Sequence, residues 1–131
     1  MIDCVAIGDD IALTLGSTGP LACEVRAASG LTSSKIINIA GGKFHYYCFI
    51  SAGSFDPTSS KLGGNLQSIR NITNCKYYVW VVPVNNIAAL VVETEAKLHS
   101  DVTVSFSPGS DNTTPANYSV LVQSIINATN N

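Results

Sequence analysis

Charge is what this chain has least of. Asp, Glu, Lys and Arg make up only 12% of its 131 residues, about half the share usual in a globular domain. Ser, Thr, Asn and Gly must therefore cover the outside, and such a neutral surface suits close packing against neighbours. Seven basic residues stand against nine acidic ones, for a net charge of −2. That balance excludes the basic footprint of a nucleic-acid binder. No charge run exceeds two residues, so there is no acidic or basic tail. No apolar run reaches membrane-spanning length, and no charged segment precedes an apolar stretch at the N-terminus. The expectation is a chain with neither anchor nor cleaved leader, cytoplasmic at synthesis. Close cysteine pairs are missing as well. Cys4, Cys23, Cys48 and Cys75 are widely spaced, each in or beside an apolar run. Zinc ligation would want a Cys-x-x-Cys pair, so four buried free thiols in a reducing compartment are expected. The sequons at Asn71, Asn112, Asn117 and Asn127 read as by-products of an Asn/Thr-rich composition.

What is present is apolar. Such residues reach 46%, enough for a real core in one domain spanning residues 1–131. Five stretches read as strands: "IDCVAIG" (2–8), "ACEVRAA" (22–28), "FHYYCFISA" (44–52), "KYYVWVVP" (76–83) and "DVTVSF" (101–106). The nearly continuous runs predict strands buried on both faces, as in a parallel sheet. Helical periods lie between them. "SSKIINIA" (33–40) stops before Gly41-Gly42. "SSKLGGNLQSIRNIT" (59–73) sets Leu62, Leu66, Ile69 and Ile72 on one face. "NNIAALVVETEAKLH" (85–99) opens on an Asn cap, with Ile87, Leu90, Val91, Thr94 and Leu98 as its apolar face. "PANYSVLVQSIINAT" (115–129) carries Tyr118, Leu121, Val122, Ile125 and Ile126. Strands alternating with helices give an α/β, three-layer architecture.

In such a sheet ligands bind at the carboxyl ends of the strands. The decisive residues are Gly8, Asp9 and Asp10; Ser29 to Thr32; Gly53 to Pro57; Pro83 with Asn85 and Asn86; and "SPGSDNTTP" (107–115). Both histidines fall at the opposite edge. His45 opens the third strand and His99 closes the helix before the fifth. A strand of about seven residues separates the edges by roughly 20 Å, so neither is expected to act as a base.

Four of these strand ends resemble the motif blocks of the SGNH (GDSL-type) hydrolases, in family order. "VAIGDDIALTL" is similar to the G-D-S block, "AASGLTSS" to the second block centred on a Gly, "ISAGSFDP" to G-x-N-D, and "FSPGSDNTTPANY" to D-x-x-H-P followed by a helical Tyr. The resemblance covers nearly the whole chain. It implies a five-stranded parallel sheet in the order 2-1-3-4-5. Carried over by position, Asp10 stands at the nucleophile, Gly30 at the second-block Gly, Phe55 at the oxyanion Asn, Asp111 at the triad Asp and Thr114 at the triad His. Only Gly30 and Asp111 keep the family letter, so the resemblance argues for the fold and against the activity. The chemistry agrees. Acyl transfer needs a nucleophile beside a base, Thr114 cannot take a proton near neutral pH, and Phe55 donates nothing to an oxyanion. Asp10 is expected to cap the helix that follows it.

Asp9, Asp10 and Asp56 also resemble the acidic cluster of phospho-acceptor receiver domains. Receivers carry a Lys after the fifth strand, where this chain has "SPGS". A bare divalent-cation site on those three carboxylates is the weaker alternative. No cofactor is otherwise indicated. The strand aromatics Phe44, Tyr46, Tyr47, Phe49, Tyr77, Tyr78 and Trp80 are expected mostly in the core, with a sugar- or base-stacking platform as the other reading. The expected role is a non-catalytic binding or assembly domain, with a protein partner or copies of itself. A virion surface is one such setting, because short proteins of this type occur in bacteria and their phages. An active ester or acetyl-glycan hydrolase, and a small-ligand or glycan binder reusing the pocket, are the alternatives.

Overall fold

The computed structural model describes residues 3–17, 21–58 and 60–129. Its elements alternate along the chain: β1 (Cys4–Gly8), α1 (Asp10–Gly16), β2 (Glu24–Ala27), α2 (Ser33–Ala40), β3 (His45–Ser51), α3 (Leu62–Ile72), β4 (Cys75–Val81), α4 (Asn86–Leu98), β5 (Val102–Val104) and α5 (Tyr118–Thr129). All strand pairs are parallel, and the sheet order is β2-β1-β3-β4-β5. The expected order is thus the observed one. The continuous apolar runs are continuous because both faces are covered. Val5, Ile7, Cys48, Ile50, Tyr78 and Trp80 face α2, α3 and α4. Phe49, Val79, Val81 and Val104 face α1 and α5.

The cysteine expectation is overturned. Cys4 is bonded to Cys23, and Cys48 to Cys75. Sequence spacing hid both pairings, because crossover connections bring residues 19 and 27 apart onto neighbouring strands. The β1/β2 register that pairs Val5 with Glu24 also sets Cys4 beside Cys23, with a Cα–Cα separation of 4.9 Å, well inside disulfide range. Such bonds persist in oxidising surroundings, so the reducing-compartment reading falls with the free thiols. Among the described residues no helix is long and apolar enough to cross a membrane.

The other correction concerns α4. Its predicted apolar face is turned outward: Ile87, Leu90 and Leu98 are 65%, 66% and 67% exposed. The buried stripe is Ala88, Val92, Glu95 and Ala96. Both stripes satisfy a helical period, and the small side chains at every fourth position let the helix lie close to the sheet. Asn85 caps α4 as expected, accepting from the Ile87 and Ala88 amides at 3.0 and 3.1 Å. α5 starts at Tyr118 rather than Pro115, which instead bridges to Pro108. The strand aromatics divide. Phe49, Tyr78 and Trp80 are buried, whereas Phe44, Tyr46 and Tyr77 are exposed.

Candidate functional site

The site is assembled where β1 and β3 end side by side. Gly8 adopts φ +141°, and a Cβ there would lie 1.8 Å from the Ser51 carbonyl oxygen. Only glycine allows so close an approach of two backbones. The Asp9 amide then donates to Ser51 O at 3.2 Å, which turns the chain out of β1 and into α1.

Asp9 rather than Asp10 is the helix cap. Its Oδ1 accepts from the Ile11 amide at 3.1 Å and from Ser51 Oγ at 2.8 Å. The residue is fully buried, and Oδ2 has no hydrogen-bond partner among the described residues. Burial is the main cause that raises the Asp9 pKa to about 6; the Ser51 and Ile11 hydrogen bonds pull it down and the Asp10 charge pushes it up. Sequence reasoning put the cap one residue late because both neighbours are Asp. The cap position needs extended backbone, and Asp9 has it.

Asp10, already inside the first turn and half-buried, reaches across to β2's end. Its Oδ1 accepts from the Gly30 amide at 2.7 Å. Gly30 has φ +73° with open space around it, so its exposed N–H is presented toward α1 by a conformation that favours glycine. The two resemblance positions at β1 and β2 are therefore in direct contact.

Asp111 and Thr114 form the second contact. Asp111 Oδ1 accepts from the Thr113 and Thr114 amides at 3.1 Å, and Oδ2 accepts from Thr114 Oγ1 at 2.5 Å. These bonds, led by the Thr114 hydroxyl, lower the Asp111 pKa to about 2. Thr114, the residue that the resemblance sets at the His position, thus meets Asp111 as a donor. Tyr118, in the first turn of α5, is a neighbour that the sequence reading placed both on the helix's apolar face and as the helical Tyr after the last block. Burial raises its pKa, a hydrogen bond to Thr14 opposes this, and the Asp9, Asp10 and Asp111 charges raise it further. The phenol therefore lies within electrostatic reach of all three carboxylates.

One expected member goes elsewhere. Asp56 is spent on α2: Oδ1 accepts from the Ser33 amide at 2.7 Å and Oδ2 from Ser33 Oγ at 2.5 Å, while Asn65 donates to the same Oγ at 2.9 Å. Asp56 caps α2 from a distance, since Thr32 makes no side-chain cap bond. Among the described residues no three His, Cys, Asp or Glu side chains are grouped to hold a metal ion, so Asp9, Asp10 and Asp56 do not form the alternative cation site. Phe55 is half-buried. A cavity of about 490 Å³ at this edge is walled by Ser54, Val84, Asn85, Asn86, Asn112 and Thr113, and Phe55 is not part of that wall.

Both histidines lie at the other edge. His45 is buried, with its ring nitrogens against Asp3 Oδ1 at 2.6 Å and Glu24 Oε1 at 3.0 Å. His99 closes α4, with Nε2 2.7 Å from Glu95 Oε2.

The sheet order and the helices on both faces make a three-layer α/β domain, and its fold is that of GDSL-like hydrolase structures. A GDSL-like lipase from Bacteroides thetaiotaomicron superposes with a TM-score of 0.66 at 16% identity, over 95% of this chain and 86% of that one. A structure described as an acylhydrolase from Bacteroides fragilis gives 0.67 at 16% identity, over 97% and 86%. No family model matches the chain, and no curated protein does. At this identity the likeness is one of fold.

Proposed function

We propose that this chain is a catalytically silent SGNH-like domain serving binding or assembly. The observation that carries the reading is the Asp10–Gly30 contact. An oxyanion hole works through amide donors aimed at developing negative charge. Here the Gly30 donor is already occupied by a carboxylate from the nucleophile position, which would also repel an oxyanion. The remaining partners fit this reading. Thr114 donates its hydroxyl hydrogen bond to Asp111, and the two histidines are tied to carboxylates at the far edge.

The assembly half rests on the outer face of α4. Ile87, Leu90 and Leu98 are exposed, and Leu90 and Leu98 line a groove of about 380 Å³ together with Gly63 and Gly64. Apolar side chains grouped this way favour a protein partner. A virion-surface or decoration role is the setting we favour, and it suits the low-charge surface and the two disulfides.

The test is hydrolysis of a small aryl ester and of an acetylated sugar by the purified protein. No turnover above background is expected from the native chain. Turnover is expected only after the joint reversion Asp10→Ser, Phe55→Asn and Thr114→His. Robust native hydrolysis abolished by Asp10→Ala would overturn the reading.

A further inference from the structure

A second cleft lies away from the strand ends just considered. β5 pairs only with Val79–Val81 of β4, so the first residues of β4 run past it and leave a notch at the amino-terminal edge of the sheet. The end of α4 and the end of α5 flank the notch. The result is a cleft of about 500 Å³, within the size range of small-molecule sites.

Its walls sort into groups that are engaged and groups that are free. Arg70 and Asp101 pair through two hydrogen bonds of 2.8 and 2.9 Å, and the Trp80 indole N–H donates to Asp101 at 2.9 Å. Tyr47 Oη donates to the Thr129 carbonyl at 3.1 Å, and His99 is held by Glu95. These groups form a fixed frame. Tyr46, Tyr77, Lys76 and Ser100 also line the cleft. Among the described residues the side chains of these four make no hydrogen bond, and Lys76 makes no salt bridge.

The tyrosines make an aromatic corner. Tyr46 meets Tyr47 and Tyr77 edge-on, with ring centroids 5.0 and 5.3 Å apart, and Tyr47 stacks on Tyr77 at 5.6 Å. Tyr46 and Tyr77 are 39% and 47% exposed, unusual for large aromatics with a core available to them. Lys76 Nζ lies 5.4 and 5.6 Å from the Tyr46 and Tyr77 ring centres.

We propose that this cleft binds an acidic sugar, a pyranose bearing a carboxylate, with its ring against Tyr46 and Tyr77 and its carboxylate on Lys76. A purely apolar ligand would strand the ammonium and three hydroxyls. A polyhydroxylated ring offers an apolar face to the tyrosines and hydrogen-bonding groups to their hydroxyls and to Ser100. Arg70 and Asp101 neutralise each other, so Lys76 is the charge left to select the ligand, and a carboxylate is what it selects. The site is at the opposite edge from Asp10 and Gly30 and does not depend on whether that edge is silent.

The test is amide chemical-shift mapping on the whole disulfide-bonded chain, titrated at low salt with methyl glucuronide, methyl glucoside and acetate. Shifts centred on Tyr46, Lys76, Tyr77 and Ser100 are expected, with the glucuronide about tenfold tighter than the glucoside. Lys76→Gln should bring the two sugars to equal affinity, and high salt should weaken only the glucuronide. Tyr77→Ala should weaken both sugars about tenfold; its exposure lets the variant fold, which its melting temperature will check. The proposal is overturned if neither sugar shifts these residues, or if the shifts fall at the Asp10–Gly30 edge. Acetate reproducing the glucuronide response, or native affinity in Tyr77→Ala, would overturn it equally.

Discussion

Asp10 Oδ1 accepts the Gly30 amide proton at 2.7 Å, joining the first turn of α1 to the loop after β2. A charge-assisted bond of this kind contributes roughly 1.5–3 kcal/mol where it is shielded and less where water competes. Gly30 is exposed, so Asp10→Ala should lower stability by about 1 kcal/mol. In amide exchange the Gly30 N–H should lose protection in that variant while Ile11, held by Asp9, keeps its own. Unchanged Gly30 exchange would mean that the contact is not maintained in solution.

Asp9 makes stability depend on pH in an unusual direction. Its pKa is raised from 3.8 to about 6, mainly by burial, so the folded chain holds a proton that the unfolded chain has released. The contribution is complete below about pH 4 and is lost as pH rises through about 6. A shift of this size corresponds to roughly 3 kcal/mol. Asp9→Asn keeps an acceptor for Ile11 and Ser51 without the charge. Its stability relative to the native protein should therefore rise between pH 4 and pH 7, by about 2 kcal/mol. Denaturant melts at both pH values measure this. A difference that stays flat with pH would remove the buried-carboxylate account.

The two disulfides should be visible as chemistry and as stability. Peptide mapping without reductant should recover Cys4 linked to Cys23 and Cys48 linked to Cys75. Closing loops of 19 and 27 residues restricts the unfolded chain by roughly 3 kcal/mol each in the chain-entropy treatment. Reductant should thus lower the melting temperature markedly. Four titratable thiols in the native, unreduced protein would reinstate the free-cysteine reading.

Gly8→Ala should be among the most damaging single substitutions. The new methyl group would meet the Ser51 carbonyl oxygen at 1.8 Å, in a backbone conformation that side chains rarely adopt. A loss of roughly 3 kcal/mol or more is expected, with β1 and β3 forced apart below the site. Gly64→Ala, where a Cβ meets nothing within 4 Å, is the control and should be neutral or mildly stabilising. Equal melting temperatures for the two variants would contradict this.

The α4 face makes a prediction about assembly. Leu90→Asp and Leu98→Asp remove apolar surface already in solvent, so the isolated fold should lose less than about 0.5 kcal/mol. If the face holds a second copy of the chain, light scattering behind a sizing column should show a mass that falls to the monomer in these variants. A native monomer at high concentration would exclude self-association and leave a different protein as the partner.

Much of the architecture is written locally. The runs "CVAIG", "CFI" and "VWVV" are apolar at every position, and only strands covered on both faces accept that pattern, so β1, β3 and β4 and their parallel neighbours follow. The alternation of strands with helical periods sets the crossovers. The crossovers fix which residues stand at the strand ends and put both histidines at the other edge. That much the sequence determined, together with the place of Gly30 after β2 and of Asp111 after β5.

What only the tertiary structure decided is which neighbour each group meets. Adjacent parallel strands are joined through long crossovers, so Cys4 and Cys23 look remote until the register pairs them. Asp9 and Asp10 are the same residue type in succession. One is buried as a cap and the other held on Gly30 by a half-turn of backbone that no composition encodes. α4 carries two stripes of helical period, and the sheet accepted the smaller one because close approach gains more contact there than bulk would. Local pattern depends on one chain segment at a time. Disulfides, buried carboxylates, exposed leucines and the tyrosine-lined notch depend on two or more, brought together only by the fold.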